Sequence, residues 1–128
     1  MDYKVEPYYN AAKTKVGVLI SLGYGAGWST WNHEAMAYDK RVIEWWLEHH
    51  DADYCKQLMY NGMYGGRESP EYRATSEFFK SIGYDDIYFG GYSTIELRWV
   101  PRGQFWRINE YDGMESLEFL DTSEWNVF

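Results

Sequence analysis

The residues best suited to chemistry form one run, Gly23-Tyr24-Gly25-Ala26-Gly27-Trp28-Ser29-Thr30-Trp31-Asn32. A glycine-rich turn between a strand and a helix N-terminus can cradle phosphate through backbone N–H groups and the helix dipole. The spacing matches neither the dinucleotide fingerprint nor the P-loop, and the P-loop lysine with its following hydroxyl residue is absent. Ordinary mononucleotide hydrolysis is therefore disfavoured. Two readings stay open for this loop. It is either a tight turn that lets a helix pack close to the strand, or an anion-binding loop flanked by stacking indoles. Trp28 and Trp31 could stack on a base at about 1–3 kcal/mol per ring, or pack into the core. Ser29 and Asn32 add small polar groups at the same turn.

A second set lies in Gln104 to Tyr111. If this stretch is extended, Phe105, Arg107, Asn109 and Tyr111 share one face, and Trp106, Ile108 and Glu110 share the other. An arginine, an asparagine and two rings on one face could grip phosphate, amide edge and base together, with Arg98 on the preceding strand close by. The competing reading puts Trp106 and Ile108 in the core and leaves the first face solvated.

Catalytic constellations are poor. His49 and His50 end a helical segment, where positive charge is welcome beside the carbonyl dipoles. Cys55 with one of them makes only a weak nucleophile pair. No second thiol accompanies Cys55, and the histidines lack zinc-ligand spacing, so neither a metal site nor a cofactor is implied. No serine sits in a nucleophile turn. A binding protein is expected, not an enzyme.

The elements that would position these residues alternate helix and strand. Residues 1–13 have no clear period and read as a flexible arm, followed by a single domain over 14–128. Lys15 to Leu22 is nearly continuously apolar and β-branched, as in a strand covered on both faces. Asn32 is a plausible N-cap for a helix running to about His50, with Ala35, Tyr38, Val42, Ile43 and Trp46 on one face. Asp51 to Arg67 predicts a short helical piece and then a loop at Asn61-Gly62 and Gly65-Gly66. Ser69-Pro70-Glu71 starts a second main helix that runs to about Ile82 and stops at Gly83. The period then becomes two. Strands are predicted at Thr94 to Val100, Gln104 to Tyr111 and Glu115 to Leu120, with an Asp112-Gly113 hairpin turn. The expected fold is α+β: a small, mostly antiparallel sheet packed against two helices, with the tail around Trp125 and Phe128 against the sheet or a neighbour.

Composition sharpens the expectation of binding. Seven Trp, thirteen Tyr and six Phe in 128 residues are more rings than a core of this size easily hides, so several should face a ligand or a subunit contact. The formal net charge of −8 disfavours nonspecific nucleic-acid binding, while a few converging arginines still permit a small anionic ligand. No apolar run approaches the roughly 20 residues of a membrane span, and a lone cysteine suits a reducing compartment, so a cytoplasmic protein is expected.

Two stretches, VGVLISLGYGAGWSTWNHEAMAYDKRVIEWW and VPRGQFWRINEYDGMESLEF, resemble small bacteriophage anti-defence proteins, most of all the first type of Thoeris anti-defence protein. They cover Val16 to Trp46 and Val100 to Phe119. The resemblance implies a sponge that sequesters a cyclic nucleotide immune signal, of the cyclic ADP-ribose type or a related cyclic oligonucleotide, without cleaving it. It further implies a homo-oligomer in the cytoplasm of an infected bacterium, with ligand sites at or near subunit contacts. On chemical grounds the ligand-binding set is Trp28, Ser29, Trp31, Asn32, Arg98, Arg107, Asn109 and Tyr111. Two other classes fit the sequence less well: an acidic protein inhibitor of a bacterial defence nuclease, and a small nucleotide-processing enzyme.

Overall fold

The apolar run after Thr14 forms β1 (Lys15–Ser21), and every residue of it after Lys15 is buried. The computed structural model describes residues 5–25, 27–59, 69–119 and 125–128. β1 pairs antiparallel with β2 (Ile95–Pro101), with Val16 opposite Val100 and Val18 opposite Arg98. A second antiparallel sheet has the order β4-β3-β5, built from β3 (Phe105–Tyr111), β4 (Met114–Phe119) and β5 (Asn126–Val127). Asp112 and Gly113 join β3 to β4 with φ of 48° and 85°. Two positive φ values define the primed turn whose twist matches a hairpin.

The architecture is α+β, as the patterning predicts, but its strands divide into two small sheets. The helical layer is α1 (Lys40–Glu48), α2 (Ala52–Met59) and α3 (Pro70–Ser81). α3 begins and ends where its signals place it: Ser69 Oγ accepts from Tyr72 N–H at 3.1 Å, and Gly83 follows at φ 98°. α1 begins later than predicted. Asn32 does not cap it. Residues 29–37 form two short 3₁₀ turns, and Asp39 caps α1 by accepting from Arg41 N–H at 2.9 Å. The Asp39 carboxylate is wholly buried and also accepts from the Arg41 guanidinium (2.7 and 3.1 Å) and the Tyr84 hydroxyl (2.9 Å). A buried charge this well partnered avoids the penalty of an isolated one. The pairing in turn raises the Arg41 pKa, chiefly through the hydrogen bond to Asp39.

The segment expected to be an arm is tied down from residue 5 onward. Tyr8 O accepts from Gly17 N–H at 2.7 Å, Tyr9 bridges Val16, and Pro7 bridges Asp39. The predicted loop at 61–66 and Leu120 lie outside the described residues. No helix among the described residues is long and apolar enough to cross a membrane.

The interior is aromatic. One cluster, between β1 and the helices, sets Trp28 edge-on to Phe79 and Tyr92. The other, between the two sheets, stacks Phe128 on Trp106 at 5.1 Å with Tyr38 edge-on to both. Three tyrosine hydroxyls are drawn inside with them. Tyr92 donates to His49 O at 2.6 Å, Tyr84 to Asp39, and Tyr54 shares a hydrogen with Thr75. Burial pushes all three phenols above their ordinary value of 10.0, and in Tyr84 the Asp39 carboxylate adds to the shift. A folded-state pKa above the unfolded one gives stability that is complete below about pH 10 and is lost as pH rises through the tyrosine range. The midpoint of urea unfolding is therefore expected to stay level up to about pH 10 and to fall beyond it. A midpoint unchanged through tyrosine ionisation would contradict this burial.

Candidate functional site

The glycine loop does hold an anion, and the anion belongs to the chain itself. Glu115, at the second position of β4, is fully buried beneath the loop. Its Oε1 accepts from Ser21 N–H at 2.9 Å. Its Oε2 accepts from Trp28 N–H at 3.2 Å, Thr30 N–H at 3.0 Å and Thr30 Oγ1 at 2.5 Å. Two further loop donors are engaged as well: Gly25 N–H bonds Asp112 O, and Gly27 N–H bonds Gly113 O at 2.8 Å. Backbone cradling of an external phosphate is thereby displaced, because the carboxylate occupies the position the phosphate would take.

Two glycines make this closure possible. Gly27 has φ of 72°, and a Cβ there would run into the Trp31 ring. A Cβ on Gly91 would overlap Gly27 O, so the segment ahead of β2 can pack directly on the loop only because residue 91 has no side chain.

Closing the loop turns a set of rings outward. Tyr24, Tyr111, Tyr88 and Trp31 are 69%, 65%, 46% and 43% exposed. They are linked in pairs across the loop. Tyr24 meets Tyr111 edge to face with centroids 6.4 Å apart, and Trp31 tilts over Tyr88 at 5.7 Å. Trp31 Nε1 donates to Glu110 Oε1 at 3.1 Å, which fixes the indole against β3. The Asn32 amide holds the Tyr88 segment, donating to Tyr88 O at 3.0 Å and accepting from Tyr88 N–H at 2.9 Å. Four exposed rings gathered at one loop form an apolar surface rimmed by polar groups, the usual character of a recognition site.

Beside this patch, between the 3₁₀ turn and β3, runs a groove of about 380 Å³. Ser29, Thr30, Asn32 and Glu34 line one side, Arg107 and Ile108 the other. Among the described residues Arg107 is the one cation lining it. Its Nε and Nη2 each lie 3.0 Å from Glu118 Oε2, and its guanidinium stacks on Trp125 with 4.2 Å to the ring centroid. Ser29 Oγ is buried in the groove wall with no hydrogen-bond partner among the described residues. Asn126 closes the end and donates to Glu34 at 3.0 Å. The groove can hold a negative group at Arg107, offer hydroxyl and amide hydrogen bonds along its wall, and lead to a stacking surface at Trp31.

The residues singled out from the sequence thus separate. Ser29, Asn32 and Arg107 meet in the groove, with Trp31 at its flank and Tyr111 in the ring patch beyond. Trp28 is fully buried and cannot reach a ligand. Arg98 bonds Glu96 at 2.6 Å and lines a different groove with Leu22, Trp99 and Phe119. Asn109 is exposed opposite Ser116, outside the Arg107 groove. The face reading of β3 holds for Trp106, which is buried, while Arg107, Asn109 and Tyr111 face solvent.

The cysteine–histidine pair is not assembled. Cys55 Sγ points to the His50 carbonyl at 3.5 Å, and burial raises the thiol pKa, which disfavours the nucleophilic thiolate. His49 and His50 stack on Trp45 and Trp46 and direct Nδ1 to the carbonyls of those residues. Among the described residues no three His, Cys, Asp or Glu side chains converge on a metal position.

Fold and site together define a small α+β domain that displays an aromatic patch beside an arginine-bearing groove. No family model, curated protein or solved structure matches the chain.

Proposed function

We propose that this protein captures a small anionic nucleotide and holds it without cleaving it. The ligand class is the cyclic ADP-ribose type or a related cyclic oligonucleotide. The protein acts as a homo-oligomeric sponge in the cytoplasm of an infected bacterium. The observation that carries the reading is the union of exposed Trp31 and its neighbouring tyrosines with a groove that bears Arg107. Arg107 is held flat by Trp125, so its fork is oriented before a phosphate arrives, and Glu118 is the group a phosphate must displace or share. Trp31 supplies a face for adenine, and Ser29 and Asn126 border the space for ribose hydroxyls. The resemblance of the two stretches noted above points the same way.

Titration calorimetry with cyclic ADP-ribose isomers and cyclic dinucleotides tests the proposal. Wild-type protein is expected to release heat on binding at least one of them. Arg107→Ala and Trp31→Ala are each expected to weaken binding by about tenfold or more, the size of one charge-assisted contact or one stacked ring. Arg73→Ala, which removes an exposed side chain on α3 outside this groove, is expected to leave affinity unchanged. Absence of heat with every ligand, or equal loss in all three variants, would refute the assignment.

A further inference from the structure

The two-stranded sheet has one covered edge and one open one. The outer edge of β1 is taken by the N-terminal segment through the Gly17–Tyr8 bond and the Tyr9–Val16 bridge. The outer edge of β2 has no such cover among the described residues. Leu22 N–H donates to Thr94 O and Arg102 N–H to Thr14 O, so the even-numbered residues of β2 direct their backbone groups to β1. Ile95, Leu97, Trp99 and Pro101 therefore direct theirs outward. Proline, which has no N–H, is tolerated at such an edge position. Ile95 N–H is bonded to Tyr92 O. The N–H groups of Leu97 and Trp99 and the carbonyls of Ile95, Leu97 and Trp99 have no partner among the described residues.

We propose that β2 pairs antiparallel with β2 of a second copy across a two-fold axis at Leu97. An open strand edge is a template for another strand, and a two-fold axis lets the same edge serve both partners. In this register Leu97 of each copy bonds Leu97 of the other, and each Trp99 N–H meets the Ile95 carbonyl of the other. The sequence Glu96-Leu97-Arg98 selects the register. With the axis at Leu97, Glu96 lies opposite the second copy's Arg98 at the close, non-hydrogen-bonded spacing, and the reverse pair forms by symmetry. An axis one residue later sets Arg98 against Arg98, and one residue earlier sets Glu96 against Glu96. Both are like-charge contacts. Glu96 and Arg98 already lie side by side at 2.6 Å, each about half exposed, so the dimer completes an alternating square of four charges. Leu22, Trp99 and Phe119 are exposed beside this edge around a groove of about 390 Å³, adding apolar surface at the same place.

This interface deepens the homo-oligomeric part of the reading above and needs no ligand to form. Sedimentation velocity of the full chain over a concentration series, without nucleotide, is expected to show a monomer–dimer equilibrium. Glu96→Arg and Arg98→Glu should each weaken the dimer by roughly tenfold or more, since either reversal turns both symmetric pairs into repulsions. The double reversal should restore affinity to within about threefold, because the opposite-charge pairs return with their signs exchanged. A wild-type chain that is monomeric throughout, a dimer indifferent to single reversals, or a double variant that stays weak would each overturn the interface. A monomer that still binds nucleotide refutes this interface and the homo-oligomeric part of the reading but leaves nucleotide capture standing, and a dimer without nucleotide affinity refutes the ligand reading alone.

Discussion

Replacing Glu115 with alanine is expected to lower folding stability by about 3–5 kcal/mol, since each buried donor left without an acceptor costs about 1–3 kcal/mol. Four donors converge on this carboxylate from β1 and the glycine loop, and the side chain has no exposure to water. Alanine leaves each buried N–H without an acceptor and opens a void where the carboxylate sat. A small domain has a total stability of about 5–15 kcal/mol, so the loss is a large share of it. Glu115→Gln keeps one acceptor oxygen but brings an amide N–H toward donors, so it should fall between wild type and alanine. Urea unfolding followed by circular dichroism measures both. Hydrogen exchange should also accelerate at the Trp28 and Thr30 amides in either variant. Variants as stable as the wild type would mean that Glu115 does not organise the loop.

The second large effect separates two tryptophans that the sequence places in one motif. Trp28→Ala is expected to cost about 3–5 kcal/mol, the usual penalty for truncating a buried indole. Trp28 touches Phe79, Phe89 and Tyr92 and has no exposed surface. Its Nε1 has no hydrogen-bond partner among the described residues, so the ring contributes through area and shape. Trp31→Ala removes a partly exposed ring and should cost under about 1 kcal/mol. The ranking reverses for nucleotide binding, where Trp31 is the residue that matters. Comparable destabilisation by both substitutions would place the two indoles in the same environment and contradict the buried/exposed division.

β1 to β4 were legible because their signals are local, whereas the two-residue β5 carries no pattern of its own. β1 is a continuous apolar run, the β3–β4 hairpin has an Asp-Gly turn, and α3 carries Ser-Pro at one end and glycine at the other. The start of α1 was not. Asn32 resembles an N-cap, yet its amide is drawn to Tyr88, distant in sequence, while Asp39 caps the helix and pairs with Arg41 and Tyr84. Choosing between two capping candidates needed tertiary partners that a local pattern does not contain.

The site was half legible for the same reason. Arg107, Trp31 and Ser29 carry recognisable chemistry, but whether an indole points in or out depends on the groups that close the loop over it. Glu115 is the residue sequence reasoning missed, although a signal existed. The Asp112-Gly113 turn fixes the register so that Glu110 lies directly opposite Glu115. Two glutamates at cross-strand positions repel unless one is engaged elsewhere. Here Glu115 turns into the loop and Glu110 takes the Trp31 indole and Gly113 N–H. Tyr24 and Tyr88 were overlooked because isolated tyrosines carry no periodic or spacing signal, and only the closed loop gathers them.

Native mass spectrometry of protein purified from cells that produce the cyclic nucleotide signal bears most directly on capture without cleavage. The expected spectrum contains protein with a retained nucleotide that, once released, has the mass of the intact signal, and Arg107→Ala protein from the same cells carries little or none. Protein recovered empty, or a released molecule with the mass of a hydrolysis product, would contradict that function.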